Sequence, residues 1–183
     1  MIITFIMTGI YTVFAYGSLI HQGSLARTVP TARNRVPVNV KGLKRQFNLA
    51  STYRYDPLQQ SPVCVLNAEA SEPDAALNGI CFDLDESELD ALLEREKGYD
   101  FCPVNARHFF DESQLINAYY FNAKNYPPYR YLTASKEQTH YLTICLQGCS
   151  EFGESFVNAF KASTGFWGID NDMDIDAIWQ GTY

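Results

Sequence analysis

The stretch VFAYGSLIHQG, residues 13–23, begins as an apolar run suited to a buried strand and breaks off at Tyr16-Gly17-Ser18. Small residues after a strand are ordinary turn chemistry. They also leave backbone N–H groups uncovered, and uncovered N–H groups at a strand end can hold an anionic group. The remainder of the chain has to decide between a turn and a binding loop.

Upstream, YTVFAY (residues 11–16) reads as strand one, and the residues before Met7 read as a loose extension. The apolar opening MIITFIMTGIYTVFAY lacks the basic start and A-x-A site of a secretory signal and is too short for a membrane-spanning helix. Downstream, a polar stretch containing Pro30 and Pro37 leads into one long candidate strand, VNVKGLKRQFNLAS (38–51). PVCVLNAEA (62–70) and LNGICFDLD (77–85) follow as strands, separated by the turn residues SEPDA. DESELDALLEREKG (85–98) has the signals of a helix: Asp85 as N-cap, acids in the first turn and Gly98 as the stop. PVNARHFF (103–110) and LINAYYFNA (115–123) read as an antiparallel pair, and the final third turns helical. There SKEQTHYLTICLQGCSEFG (135–153) opens on Ser135 and Gln138 at capping-box spacing. Tyr141, Leu142, Cys145, Leu146 and Cys149 give that helix one buried face. ESFVNAFKAS (154–163) buries Phe156, Val157 and Phe160 and ends at Gly165. Strands first, one inserted helix and helices last, without βαβ alternation, predict an α+β domain, a small mixed β-barrel with helices packed outside.

The composition agrees. The 183 residues, 46% hydrophobic and 19% charged, are enough for one domain spanning 1–183, with 166–183 as an acidic C-terminal tail. A net charge of −7 argues against nucleic acid as a partner. Arg27, Arg33 and Arg35 read as a solvated loop cluster. Five cysteines without a CxxC pair or metal-ligand spacing fit a reduced, cytoplasmic compartment and no metal. The tail DNDMDID (170–176) begins like a calcium loop, but Ile175 and Gly181 stand where glycine and glutamate are required. Trp167 and Trp179 are available to dock the tail onto the body or onto a second copy, which leaves a homodimer open.

One residue is out of place. At roughly 100° per residue, Leu89, Leu92, Leu93 and Glu96 fall on one helix face, while Glu88, Glu94 and Arg95 point elsewhere. A carboxylate on an apolar face is costly unless it is paired or its pKa rises, and the negative end of the helix dipole pushes the same way. Either Glu96 is a general base tuned upward, or it lies on the rim of the face and swings to solvent or pairs with Lys97 or Arg95. Tyr141, Tyr99 and Tyr16 are the candidates to share a site with it, each with a plain packing role as the alternative. Only three histidines are present, and no Ser-His-Asp or Cys-His set emerges.

Taken together, VFAYGSLI (13–20), LDALLEREKGY (89–99) and THYLTICLQGCSEFGESF (139–156) resemble the gamma-glutamylcyclotransferase family, including its ChaC and AIG2-like branches. The resemblance spans roughly residues 11–162, and the helix follows the Arg-Glu form of the family motif. It implies a β-barrel, no cofactor, a small gamma-glutamyl substrate and release of 5-oxoproline by a transferase or lyase acting on gamma-glutamyl compounds. It implies further that Glu96 matches the catalytic glutamate, that the Gly17-Ser18-Leu19 backbone binds the gamma-glutamyl end, and that Tyr141 lines the same cavity. The segment 57–62 shows no leaving-group pocket. A non-catalytic ligand-binding or interaction protein on the same fold is the competing expectation.

Overall fold

β1 (Ile10–Ala15) shows how the chain builds two cores from one strand. Val13, Phe14 and Ala15 are all buried, but alternation sends Phe14 to one side and its two neighbours to the other. β5 (Ala76–Asp85) divides the same way: Leu77 and Cys81 face the side of Phe14, and Ile80, Phe82 and Leu84 the side of Val13. A strand covered on both faces reads as a continuous apolar run, as Val13-Phe14-Ala15 and Ile80-Cys81-Phe82 do.

The computed structural model describes residues 9–181 other than Lys97. Five strands close a barrel in the order β1, β5, β2 (Arg33–Lys41), β6 (Tyr99–His108), β7 (Asp111–Ala123). All neighbours are antiparallel except the closing pair, where β1 meets β7 in parallel with Val13 opposite Tyr119. Beside it lies a three-stranded sheet, β4 (Ser61–Ala70), β3 (Leu43–Asp56) and β8 (Thr164–Phe166). The expected α+β barrel with helices outside is therefore present. The single strand expected over 38–51 is instead two, because Gly42 adopts φ +77 and turns the chain out of the barrel and into the second sheet.

Among the described residues five α-helices pack around this frame: α1 (Gln22–Thr28), α2 (Glu86–Arg95), α3 (Lys136–Ser150), α4 (Glu154–Ala162) and α5 (Asp172–Gln180). α1 carries no apolar periodicity and so gives no sequence signal; the His21 ring caps it by accepting from the Ser24 amide. α2 starts as expected, with Asp85 accepting from the Glu88 amide at 3.0 Å. Its buried face is narrower than the periodicity predicts, holding Leu89 and Leu92 while Leu93 is exposed. In α3, Ser135 accepts from the Gln138 amide at 3.1 Å. The Gln138 side chain does not complete a capping box; it reaches sideways to the amide and carbonyl of Cys64, both at 2.8 Å, and ties α3 to β4. Beyond α4 the chain does not run on to a helix stop at Gly165 but pairs as β8 along β3. The tail residues form α5, capped by Asn171, and Trp179 packs edge-on against Phe166 at 5.2 Å. No helix among the described residues is long and apolar enough to cross a membrane.

Arg45 of β3 is almost fully buried, and among the described residues no carboxylate pairs with it. It donates to the Phe160 carbonyl at the end of α4, to Ser163 and Thr164 hydroxyls and to Asn78, and it lies 3.8 Å from the Phe160 ring centroid. A cation at a helix C-terminus meets the negative end of the dipole, which offsets part of its desolvation.

Candidate active site

The end of β1, the end of α2 and the second turn of α3 converge on one cleft of about 160 Å³. Its lining includes Tyr16, Gly17, Ser18, Leu19, Glu96, Tyr99 and Tyr141, every site residue expected from the sequence. Positions separated by 125 residues thus meet in one place.

After β1 the chain enters a 3₁₀ turn, Ser18–Ile20. The Ile20 amide donates to the Gly17 carbonyl at 3.0 Å and the His21 amide to Ser18 at 3.3 Å. The Ser18 and Leu19 amides have no acceptor among the described residues, as expected of the first donors of a helical turn. The turn is packed against α3 at Gly148, where a Cβ would come within 2.4 Å of the His21 nitrogen. The cleft is lined on another side by Tyr141, whose hydroxyl would lie 3.2 Å from a Cβ placed on Gly17.

Glu96 caps the C-terminus of α2, its amide still bonded to the Leu92 carbonyl at 2.9 Å. Gly98, at φ +94, then reverses the chain into β6 and brings Tyr99 alongside. The Glu96 side chain retains only 20% of its exposure. Burial pushes its carboxyl above the usual carboxylate range, and the Arg95 guanidinium partly opposes that rise. Burial, with the Glu96 charge adding to it, pushes the Tyr99 phenol up to about 12. Tyr141 and Tyr16 are raised further, each chiefly by burial, so the tyrosines stay neutral hydroxyl groups across the physiological range. The Tyr16 hydroxyl donates to the Phe121 carbonyl at 2.6 Å, so its ring rather than its hydroxyl serves the cleft.

Arg95, which helical periodicity alone points elsewhere, is the rim partner that Glu96 meets: it folds back beside the carboxylate, Nε to Oε1 3.5 Å, and lines the cleft. The other rim partner expected, Lys97, lies outside the described residues. One wall of the cleft has no counterpart among the sequence expectations, Ser51–Arg54 of β3. Here the pairing of β3 with β4 is irregular between Ala50 and Tyr55, and the Ser51 hydroxyl accepts from the Tyr53 and Arg54 amides at 3.1 and 2.9 Å. The kink directs Tyr53 and Arg54 to the cleft, and the Tyr53 hydroxyl bonds the Arg95 carbonyl. The only sequence signal was the polar STYR run inside a strand. A wider depression along β2, β6 and α4, lined by Lys41, Asn78 and Arg107 among others, contains none of these groups.

A closed mixed barrel with a side sheet and helices packed outside is the fold shared with solved gamma-glutamyl cyclotransferase structures. One solved structure described as a gamma-glutamyl cyclotransferase superposes with a TM-score of 0.68, at 17% identity over 94% of this chain and 99% of that one. An uncharacterized protein from Homo sapiens gives a TM-score of 0.68 at 18% identity over 93% and 98% of the two chains. A yeast gamma-glutamyl cyclotransferase described as specific to glutathione gives 0.55 at 14% identity over 94% and 95%. No protein-family model and no curated protein matches the sequence. At these identities the likeness establishes the fold.

Proposed function

We propose that the protein releases 5-oxoproline from a gamma-glutamyl amino acid, peptide or amine, with Glu96 as general acid and base. The observation that carries this reading is the meeting of a half-buried carboxyl, raised by desolvation, with the open amides of the turn after β1 in one cleft. The reaction needs no enzyme nucleophile. The substrate's own α-nitrogen attacks its side-chain carbonyl carbon, forming the ring C–N bond, and the bond to the leaving nitrogen breaks. Starting from the α-ammonium form, two protons pass from the attacking nitrogen to the leaving one. Glu96 would relay them, and an elevated pKa suits a carboxylate that must both accept and return a proton.

The Ser18 and Leu19 amides would hold an oxygen of the glutamyl end and steady charge that develops on it. Tyr141 and Tyr99, neutral and close by, supply donor hydroxyls and a wall that keeps the chain folded back for ring closure. A binding protein without catalysis is favoured by one observation, the Arg95–Glu96 ion pair, which holds the carboxylate in its charged form. The two readings separate on a single assay. Purified protein is incubated with a panel of gamma-glutamyl amino acids, glutathione and gamma-glutamyl amines, and 5-oxoproline is quantified. Release above the uncatalysed rate supports the enzyme, and binding of the same compounds without release supports the alternative.

A further inference from the structure

The cleft is lined by two guanidinium groups, and they are not equivalent. Arg95 is committed: it pairs with Glu96, donates to the Thr28 hydroxyl at 2.9 Å and lies over the Tyr53 ring. Arg54 is half-buried, yet no salt bridge among the described residues involves it. Its guanidinium carbon stands 5.0 Å from the centroid of the Tyr141 ring, whose hydroxyl end lies beside Gly17. A cation held over a ring and partly withdrawn from water, without an anion, is suited to receive one.

Charge counting says which ligand would supply it. With Glu96 ionised and the tyrosines neutral, two guanidinium groups and one carboxylate leave the cleft with one net positive charge. A gamma-glutamyl amine is a zwitterion of zero net charge. A gamma-glutamyl amino acid or peptide carries one further carboxylate, on its leaving group, and matches the surplus. We propose that Arg54 is a specificity-determining residue that binds the carboxylate of the leaving amino acid or peptide, so that the protein favours gamma-glutamyl amino acids and peptides over gamma-glutamyl amines. Arg54 stands on the Ser51–Arg54 kink of β3, a different element of the cleft lining from the β1 turn proposed to hold the glutamyl end. This inference rests on the cyclotransferase reading and extends it to the substrate class.

The test uses two compounds that differ only by that carboxylate, γ-glutamyl-L-alanine and γ-glutamylethylamide. For the wild-type protein, kcat/KM should favour the alanine compound by roughly 10- to 100-fold, the range for one hydrogen-bonded charge. In Arg54→Gln the ratio should collapse toward one, chiefly through KM, and Arg54→Lys should restore part of it. A ratio unchanged in Arg54→Gln, or an equal loss on both compounds, would overturn the proposal. If the wild type releases 5-oxoproline from neither compound, the cyclotransferase reading fails first. Calorimetric binding of the same pair then decides for Arg54: preference for the alanine compound that disappears in Arg54→Gln sustains the assignment, and equal or absent binding overturns it.

Discussion

The Nε of Arg95 lies 3.5 Å from Oε1 of Glu96, at the end of a helix whose dipole and burial both disfavour that carboxylate. The two residues work against each other: burial raises the Glu96 pKa and the neighbouring guanidinium lowers it. The acid limb of kcat/KM should accordingly fall above the ordinary carboxylate range. In Arg95→Leu the opposing charge is gone, so the limb should move further toward neutral pH. A limb that stays put or moves to lower pH in that variant shows that the titrating group is not Glu96.

Glu96→Gln should separate activity from stability. Losing a general acid and base costs about 100-fold or more in kcat. The folded-state pKa of Glu96 lies above its unfolded value, so the folded protein holds this proton more tightly than the unfolded chain does. Its contribution to stability is full below the unfolded pKa, declines as pH rises toward the folded pKa and remains lost above it. Glutamine has no such loss. The urea midpoint of Glu96→Gln should therefore equal or exceed that of the wild type at pH 8, a surplus that disappears in acid. A variant that unfolds more easily at pH 8 contradicts the sign of the shift.

Gly17→Ala tests how closely the turn and Tyr141 must meet. The new methyl would stand 3.2 Å from the Tyr141 hydroxyl, which has to yield by a few tenths of an ångström, and 3.6 Å from a Leu66 methyl, an ordinary contact. We expect a loss of about tenfold in kcat/KM with little change in the melting temperature, since the displacement is confined to the cleft. Melting temperature and 5-oxoproline release measured on the same preparation are sufficient to decide.

Gly148→Ala acts on the same turn from behind. A Cβ there would fall 2.4 Å from the His21 nitrogen and 2.8 Å from the Ile20 carbonyl carbon, both backbone atoms that cannot rotate away. Overpacking of this kind costs about 1–3 kcal/mol. The denaturation midpoint should fall, and activity should fall with it because the turn after β1 is displaced. Retained activity in a destabilised variant would mean that the turn's position does not matter to catalysis.

Glu96 was legible in the sequence because helical periodicity places a charge between leucines, a conflict that stands out on one helix alone. Asp85 and Ser135 were legible for a similar reason, since a cap acts within four residues of itself. Arg95 could be assigned only as one of two rim partners, because periodicity gives a long side chain a fixed direction, whereas its stem folds back toward the carboxylate. Arg54 left no trace, since its place in the cleft depends on a break in the pairing of β3 with β4, and strand register is a property of two strands. The Gln138 bond to Cys64 joins residues 74 apart and was hidden in the same way.

The sequence by itself determined the starts of α2 and α3, the odd carboxylate and a strand broken at Gly17, because each follows from forces acting over a few residues. Tertiary structure alone decided that Gly42 divides one apparent strand between two sheets, that β1 closes the barrel against β7, and that Gly17, Arg54, Glu96 and Tyr141 share one cleft. Those outcomes depend on which surfaces pack together and exclude water, a free energy that no short window of the chain contains.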